Sequence, residues 1–317
     1  MTSASQKWPE DFAKRLRLIV PPGILPSVSR GYVATRPTTF RINTLKTTED
    51  DARRAFSKTD LICEPVPNFS GAYTLKKGSF KKLTESRPYV EGWIYVQSLS
   101  SQIPPLVLAP RPGEIVLDMA AAPGGKTCQI AALMRGEGEL VALEPDKIRF
   151  ERLKHNVEKQ RAALARCLNT PGEKLGVEFD SYFDRVLLDA PCSSEGTFCL
   201  NDRVSYAHWS VDFVQKMAKR QKRLLTAAWR VLKPGGLLVY STCALSPEEN
   251  EEVVDFGLKE LPGSASVAIP LKHSFLMRAM PSWNGSHFAP GVAESRRIYP
   301  SEKMEGFFVA ALRKSAS

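Results

Sequence analysis

The chain of 317 residues has six cysteines, at 63, 128, 167, 192, 199 and 243, and no C-x-x-C pair among them. A chain of this size needs no disulfide staples, so free thiols in a reducing, cytoplasmic setting are expected. Histidines are scarce, and His155, His208, His273 and His287 show no metal-ligand spacing with the cysteines, so no metal is expected. No apolar run reaches about 18 residues, which leaves no membrane-spanning helix. The first twenty residues carry acids and lack an apolar core, which argues against a secretory signal. There is no repeat and no low-complexity tract. Hydrophobic residues at 43% and charged residues at 25% exclude a mainly disordered or collagen-like chain.

Acidic side chains are the scarcer sign, 34 against 44 basic, for a net charge of +10. Residues 1–110 hold 16 basic and 9 acidic side chains, a net of +7, and the rest hold 28 and 25, a net of +3. Such asymmetry suits a polyanion, most simply nucleic acid, and competes with a merely soluble basic surface.

A boundary is expected near residue 110. Before it, 9–19 reads as a basic amphipathic helix, 38–43 as a strand and 47–57 as a helix entered through a Thr cap. Residues 60–66, 72–75 and 90–96 read as strands, giving a small N-terminal α+β domain over 1–110. Beyond it strands and helices alternate. Strands are expected at 115–118, 139–143, 185–189, 236–241 and 306–313. Helices are expected from the glycine-rich turn to about 134, then at 146–162, 209–232 and 246–260. That rhythm predicts an α/β fold, a doubly wound and mostly parallel sheet over 111–317, with ligands at the carboxyl ends of its strands.

The turn Asp118-Met119-Ala120-Ala121-Ala122-Pro123-Gly124-Gly125-Lys126-Thr127 follows the first of these strands and opens a helix. Small residues let a ligand approach the backbone closely, and the helix start offers free N–H groups. A phosphate loop is one reading, because the turn ends GGKT. Ala120 stands where that motif has glycine, and Pro123 removes an N–H from the phosphate nest. A nucleoside-type cofactor is another, with Glu144 at the end of the next strand to take ribose hydroxyls. A plain tight turn is the third. S-adenosylmethionine suits the second, with Asp118 facing its amino group.

Cys192, in DAPCSS after the 185–189 strand, and Cys243, in STC after the 236–241 strand, both fall at carboxyl edges. Nucleophiles belong there, whereas a lone cysteine is ordinarily a small buried filler. Cys63, Cys128, Cys167 and Cys199 are read as fillers.

Together these segments resemble the Sun (Fmu, Nop/Sun-type) family of RNA cytosine-5 methyltransferases. LDMAAAPGGKT resembles its cofactor motif, with Ala120 where many members have Cys, and DAPCSS and STC resemble its two cysteine motifs. RIN at 41–43, Gln97-Ser98-Leu99-Ser100-Ser101 and RRIYPSEKMEGFFVA at 296–310 resemble its flanking signatures. The likeness runs from about residue 36 to 313. It implies a Rossmann-like class I methyltransferase sheet whose last strand is antiparallel, with S-adenosylmethionine as cofactor.

The resemblance also implies roles. Cys243 would attack carbon 6 of cytosine, and Cys192 would assist product release. Asp189 would hydrogen-bond ring nitrogen 3 and Lys126 would support the base or the cofactor. Glu144 and Arg149 would serve the cofactor beside the turn Ala120, Ala121, Ala122, Pro123, Gly124 and Gly125. Pro171 stands where the family usually has an Asp for the adenine, with Asn169 nearby, and Ser301 stands where many members have His. Ribosomal or transfer RNA is the implied substrate of a cytoplasmic monomer, and an RNA-binding assembly factor with little catalysis is the alternative. Arg41, Lys76, Lys77, Lys81, Lys82 and Arg87 are the candidate RNA contacts. His208 and Trp209 are placed near the site, with core packing the stronger reading for Trp209.

Overall fold

Local sequence preferences account for most elements of the computed structural model, which describes residues 8–67 and 69–316. The chain divides into two compact units. One comprises Pro37–Asp189 and Ala227–Val239, and the other the residues up to Arg36, Ala190–Thr226 and Tyr240–Ser315. The division does not fall at residue 110. Residues 8–36 group with the C-terminal third rather than with the strands that follow them.

The Pro37–Asp189 unit opens with β1 (Thr39–Ile42), β2 (Ile62–Pro65), β3 (Ala72–Lys77) and β4 (Ile94–Val96). They form an antiparallel sheet in the order β2-β3-β1-β4. β4 is shorter than the strand expected over 90–96. Arg87–Val90 makes a helical turn and Gly92 has φ of 70°. The helix Glu49–Phe56 starts where Thr48 accepts the Asp51 N–H. It packs Ala52 and Phe56 onto a core with Phe40, Tyr73, Leu83 and Ile94.

Next come β5 (Ile115–Asp118), β6 (Glu139–Leu143), β7 (Ala165–Leu168) and β8 (Phe183–Asp189). β5 pairs in parallel with β6 and β8, and β6 with β7. The helices Gly125–Leu133 and Lys147–Lys159 make the crossovers. The helix Leu99–Leu108 went unread because it contains Pro104 and Pro105. Pro105 has no N–H for the Ser101 carbonyl, and the Gln97 side-chain amide donates to it instead, at 3.1 Å.

β9 (Leu232–Thr242) begins at KPGG, earlier than expected, and runs on from one unit into the other. In the other unit, β10 (Ser264–Val267), β11 (Met277–Arg278), the short pair β12 (Ser282–Trp283) and β13 (Ser286–His287), β14 (Arg296–Ile298) and β15 (Phe307–Lys314) complete the strands. In the Pro37–Asp189 unit the parallel strands have the order β8-β5-β6-β7, and in the other unit the order is β11-β14-β15, with β10 beside β15. The last strand is antiparallel to both β10 and β14, as expected.

The amphipathic helix Glu10–Ile19 buries Phe12, Leu16 and Ile19, one stripe at helical spacing. It meets Tyr32, Phe198, Trp209 and Leu245 in the core of its own unit. No described helix is long and apolar enough to cross a membrane.

Candidate functional site: a carboxylate turn and a thiol pair

Asp118 ends β5, and the chain turns through Met119–Gly124 into the helix Gly125–Leu133. Three backbone bonds hold the turn: Met119 N–H to the Leu187 carbonyl, Ala121 N–H to Leu143 and Gly124 N–H to Ala121. Gly124 caps the helix with φ of 108°, a conformation that costs glycine nothing and strains other residues. Ala121, Ala122 and Gly125 are buried, Ala120 is half-buried and Pro123 is exposed.

The Asp118 carboxyl is buried. One oxygen, Oδ2, accepts from the Thr127 hydroxyl at 2.7 Å, while Oδ1 is buried with no hydrogen-bond partner. Burial pushes its pKa up to about 6, against the opposing Thr127 bond. A buried acceptor without a donor suits a cationic ligand group, such as the amino group of S-adenosylmethionine, and repels a phosphate. With Pro123 lacking an N–H, this disfavours the phosphate-loop reading.

Glu144 follows β6 and is 1% exposed. Its Oε1 accepts the Asp146 N–H at 2.9 Å, and its Oε2 lies 3.4 Å from the Arg149 guanidinium. Arg149 also donates to the Ala122 carbonyl at 2.9 Å. It therefore ties the second strand end to the glycine-rich turn. Asn169 donates to the carbonyls of Glu144 and Pro145, which braces the same strand end. Lys126 pairs with Asp189 Oδ2 at 2.6 Å and donates to the Ser101 hydroxyl at 2.9 Å. The QSLSS segment thus supports the lysine of the cofactor motif.

In the other unit, Cys192 Sγ and Cys243 Sγ lie 3.2 Å apart as free thiols. The hydrogen bond with Cys243, then burial, push the Cys192 thiol well above its ordinary value. Two loops are stitched together around them. The Gly196 N–H donates to the Cys243 carbonyl at 2.7 Å. Gly196 also meets Gly306 backbone to backbone, where a Cβ on Gly196 would sit 2.2 Å from the Gly306 oxygen.

Residues that sequence reasoning missed complete this arrangement. Glu195 is 1% exposed and accepts four hydrogen bonds. Its donors are Trp209 Nε1 at 2.8 Å, the N–H groups of Leu245 and Ser246 at 2.9 and 2.6 Å, and the Ser246 hydroxyl at 2.7 Å. Glu249 accepts the Ser193 N–H and the Gln221 amide, each at 2.9 Å. Burial, then the Glu195 charge, push its pKa up to about 8. Arg297, 1% exposed, forks onto Glu251 and donates to the Leu245 carbonyl at 2.7 Å. The one available signal was a charged residue inside or beside a cysteine segment, as in CSSEGT and PEENEE.

His208 approaches the Ser193 carbonyl at 3.3 Å, so both it and Trp209 brace the Cys192 loop. Trp209 is also core, as expected. Burial raises Cys63 to about 11 and Cys128 to about 12, which keeps both protonated and fits their reading as fillers. Among the described residues no group of three or more His, Cys, Asp or Glu could hold a metal ion.

The candidate RNA contacts divide. Arg41 is 4% exposed and is corrected to an internal brace. It donates to Gln97 at 2.9 Å and to the Gly125 carbonyl at 3.1 Å, with its guanidinium over Tyr95. Asn43, two residues on, donates to the Gly92 and Gln160 carbonyls. Lys76, Lys77, Lys81 and Lys82 are exposed. Three of these lysines face acids, Lys76 with Glu64, Lys81 with Glu85 and Lys82 with Asp60, at 3.6 to 3.8 Å. Arg87 pairs with Glu91 at 2.8 Å.

Residues 105–313 match the family described as 16S rRNA methyltransferase RsmB/F. The tRNA (cytosine(49)-C(5))-methyltransferase of Pyrococcus abyssi is 39% identical over 285 residues, 89% of each chain. The ribosomal RNA small subunit methyltransferase F of Shewanella amazonensis is 36% identical over 282 residues. That match covers 88% of this chain, which spans 58% of the relative's length. The crystal structure of a methyltransferase homolog protein from Pyrococcus horikoshii superposes with a TM-score of 0.85 at 32% identity, covering 98% of this chain and 96% of that one. With two cysteine segments and a carboxylate turn at the strand ends of a class I methyltransferase fold, the chain belongs to the 16S rRNA methyltransferase RsmB/F family, a family of RNA cytosine-5 methyltransferases.

Proposed function

We propose that the chain transfers a methyl group from S-adenosylmethionine to carbon 5 of a cytosine in ribosomal or transfer RNA, through a covalent bond between Cys243 and carbon 6. The observation that carries this reading is the pair of thiols 3.2 Å apart at the ends of two strands. A second thiol beside a nucleophile suits a reaction that must both make and break a covalent bond to the base. The relatives named as a tRNA (cytosine(49)-C(5))-methyltransferase and as a ribosomal RNA small subunit methyltransferase F support the substrate class.

S-adenosylmethionine supplies, when bound, a methyl group on a positively charged sulfur. The orphaned Asp118 Oδ1 would hold its amino group, and Glu144 its ribose hydroxyls, while the small residues Ala120 to Gly125 admit it against the backbone. Cys243, as thiolate, adds to carbon 6. The electron pair of the ring double bond then becomes available at carbon 5 and would form the new carbon–methyl bond as the sulfur–methyl bond breaks, its electron pair staying on the sulfur of a neutral thioether. As Cys243 adds, ring nitrogen 3 would take up a proton, and the Asp189 carboxylate, held by Lys126, would accept the hydrogen bond from that N–H and favour the protonated ring. A water would take the carbon 5 proton, the freed pair would restore the double bond, and the Cys243–carbon 6 pair would return to the Cys243 sulfur, to which the protonated Cys192 thiol can donate as it leaves. The target cytosine must leave its stack to react. The basic N-terminal region 37–110, including Lys76, Lys77, Lys81 and Lys82, would hold the RNA.

The test is the Cys192→Ala protein expressed in its native host. RNA should remain joined to it on a denaturing gel, and Cys192→Ala/Cys243→Ala should show none. Sequencing the joined RNA names the substrate. No adduct, from a folded protein that binds S-adenosylmethionine, sinks the two-thiol mechanism and favours an assembly factor.

A further inference from the structure

The strand that braces the glycine-rich turn leads directly to a basic groove. Arg41 holds the Gly125 carbonyl, Asn43 anchors the strand end, and Lys46 follows. Five residues of chain keep Lys46 within about 18 Å of Arg41, Cα to Cα. There Lys46 joins Arg54 and Lys58 from the Glu49–Phe56 helix and its end, Arg87 from the next helical turn, and Trp93. Together they line a groove of about 480 Å³. Four cations face one lining acid, Asp51, a net of +3. A neighbouring hollow of about 340 Å³ shares Lys58 and Thr59 but balances Lys58 and Lys82 with Asp60 and Glu85, so the positive charge is confined to the first groove.

We propose that this groove binds the sugar-phosphate backbone of the RNA substrate away from the target cytosine. The inference rests on the RNA methyltransferase reading and adds a docking site to it. The helix that supplies Asp51, Arg54 and Ala55 to the groove is anchored through Ala52 and Phe56, which are core residues. Lys46 and Lys58 have no carboxylate partner among the described residues. Lys46 donates to the Lys159 carbonyl at 3.1 Å, and its charge, after burial, lowers the Lys159 pKa. Two lysines held in mutual repulsion gain when a phosphate arrives. The Arg54–Asp51 and Arg87–Glu91 pairs are exposed ion pairs, weak enough for a phosphate to exchange with them.

Arg87 lies 5.1 Å from the Trp93 ring centroid, an aromatic and guanidinium surface on which an unpaired base can stack. Lys76, Lys81 and Lys82 also face acids, at 3.6 to 3.8 Å, and lie outside the lining of this groove.

The test compares the full chain with Lys46→Gln/Lys58→Gln, using unmodified transcripts of small-subunit ribosomal RNA and of tRNA. Affinity is measured across salt concentrations, and methylation and S-adenosylmethionine binding beside it. Two lost phosphate contacts should reduce the slope of log K against log salt by roughly 1.4 to 1.8. The RNA KM should rise about tenfold at physiological salt, while S-adenosylmethionine binds as before. An unchanged slope and KM in a folded variant would overturn the groove and leave the methyltransferase reading standing. If the wild-type chain binds these RNAs with the full slope yet never methylates them, the groove survives and the methyltransferase reading fails. A wild-type chain that binds neither RNA overturns both.

Discussion

Cys192 and Cys243, 51 residues apart in the chain, hold their sulfurs 3.2 Å from one another. The contact sets the proton on Cys192. Its hydrogen bond with Cys243 is the foremost cause of the raised pKa, ahead of burial and of the charges of Cys243 and Glu249. Cys243→Ala should therefore lower the Cys192 pKa without returning it to an ordinary thiol, because burial remains. Iodoacetamide should label Cys192 faster at pH 8 to 9 in Cys243→Ala than in the wild type, with peptide mapping to separate the sites. Equal or slower labelling would show that the hydrogen bond is not what protects it.

Glu249 gives the fold a pH dependence. With its carboxyl raised to about 8 by burial and the Glu195 charge, the folded chain keeps a proton that an unfolded carboxyl of 4.5 releases. The folded state binds more protons between these values, so stability falls as pH rises from about 4.5 to 8. The loss is on the order of a few kcal/mol. Glu249→Gln keeps a side-chain oxygen for the Ser193 N–H and removes the titration. Urea midpoints should fall across that window in the wild type, while the variant should flatten between about 6 and 8 and keep only the fall that the raised Asp118 carboxyl gives below 6.

Asp118 predicts the pH dependence of cofactor binding. The free protein holds this carboxyl partly protonated below about 6. A cationic amino group prefers the ionised form, so affinity for S-adenosylmethionine should climb with pH up to about 6 and level above it. Each unit below should cost up to tenfold. Calorimetric titration from pH 5 to 8 checks this, and Asp118→Asn should bind weakly with no such slope. A wild-type affinity that is flat with pH would remove Asp118 from the ammonium role.

Glu195 should be the costliest carboxylate to lose. Glu195→Ala strands Trp209 Nε1, two backbone N–H groups and a hydroxyl, all buried. Unfolding should become easier by about 3–5 kcal/mol. The Cys243 loop loses its hold on the Cys192 loop, so residual folded protein at low temperature should show a reduced kcat with little change in cofactor affinity. A kcat close to wild type would mean that the loop keeps its geometry without the carboxylate.

Much of the fold was legible because its signals are local. β5 and β6 are short apolar runs closed by an acid, and the Glu10–Ile19 helix shows its stripe at every third or fourth residue. What failed locally failed for local reasons. Two prolines hid the Leu99–Leu108 helix, and Gly92 cut β4 short. Arg41 was misread because a charged residue in a basic region looks like surface. Only the neighbours that meet in three dimensions show it to be buried beneath the glycine-rich turn.

The sequence by itself determined the alternation of strand and helix, the carboxylate turn, the two cysteine segments and, through their order, the family. Periodicity and turn chemistry act over a few residues, so they can be read along the chain. The tertiary structure alone decided that residues 8–36 group with the C-terminal third. It alone placed the two sulfurs side by side, and the fork of Arg297 onto Glu251, 46 positions away. A buried charge must find its partner wherever packing brings one, and no local pattern records that choice.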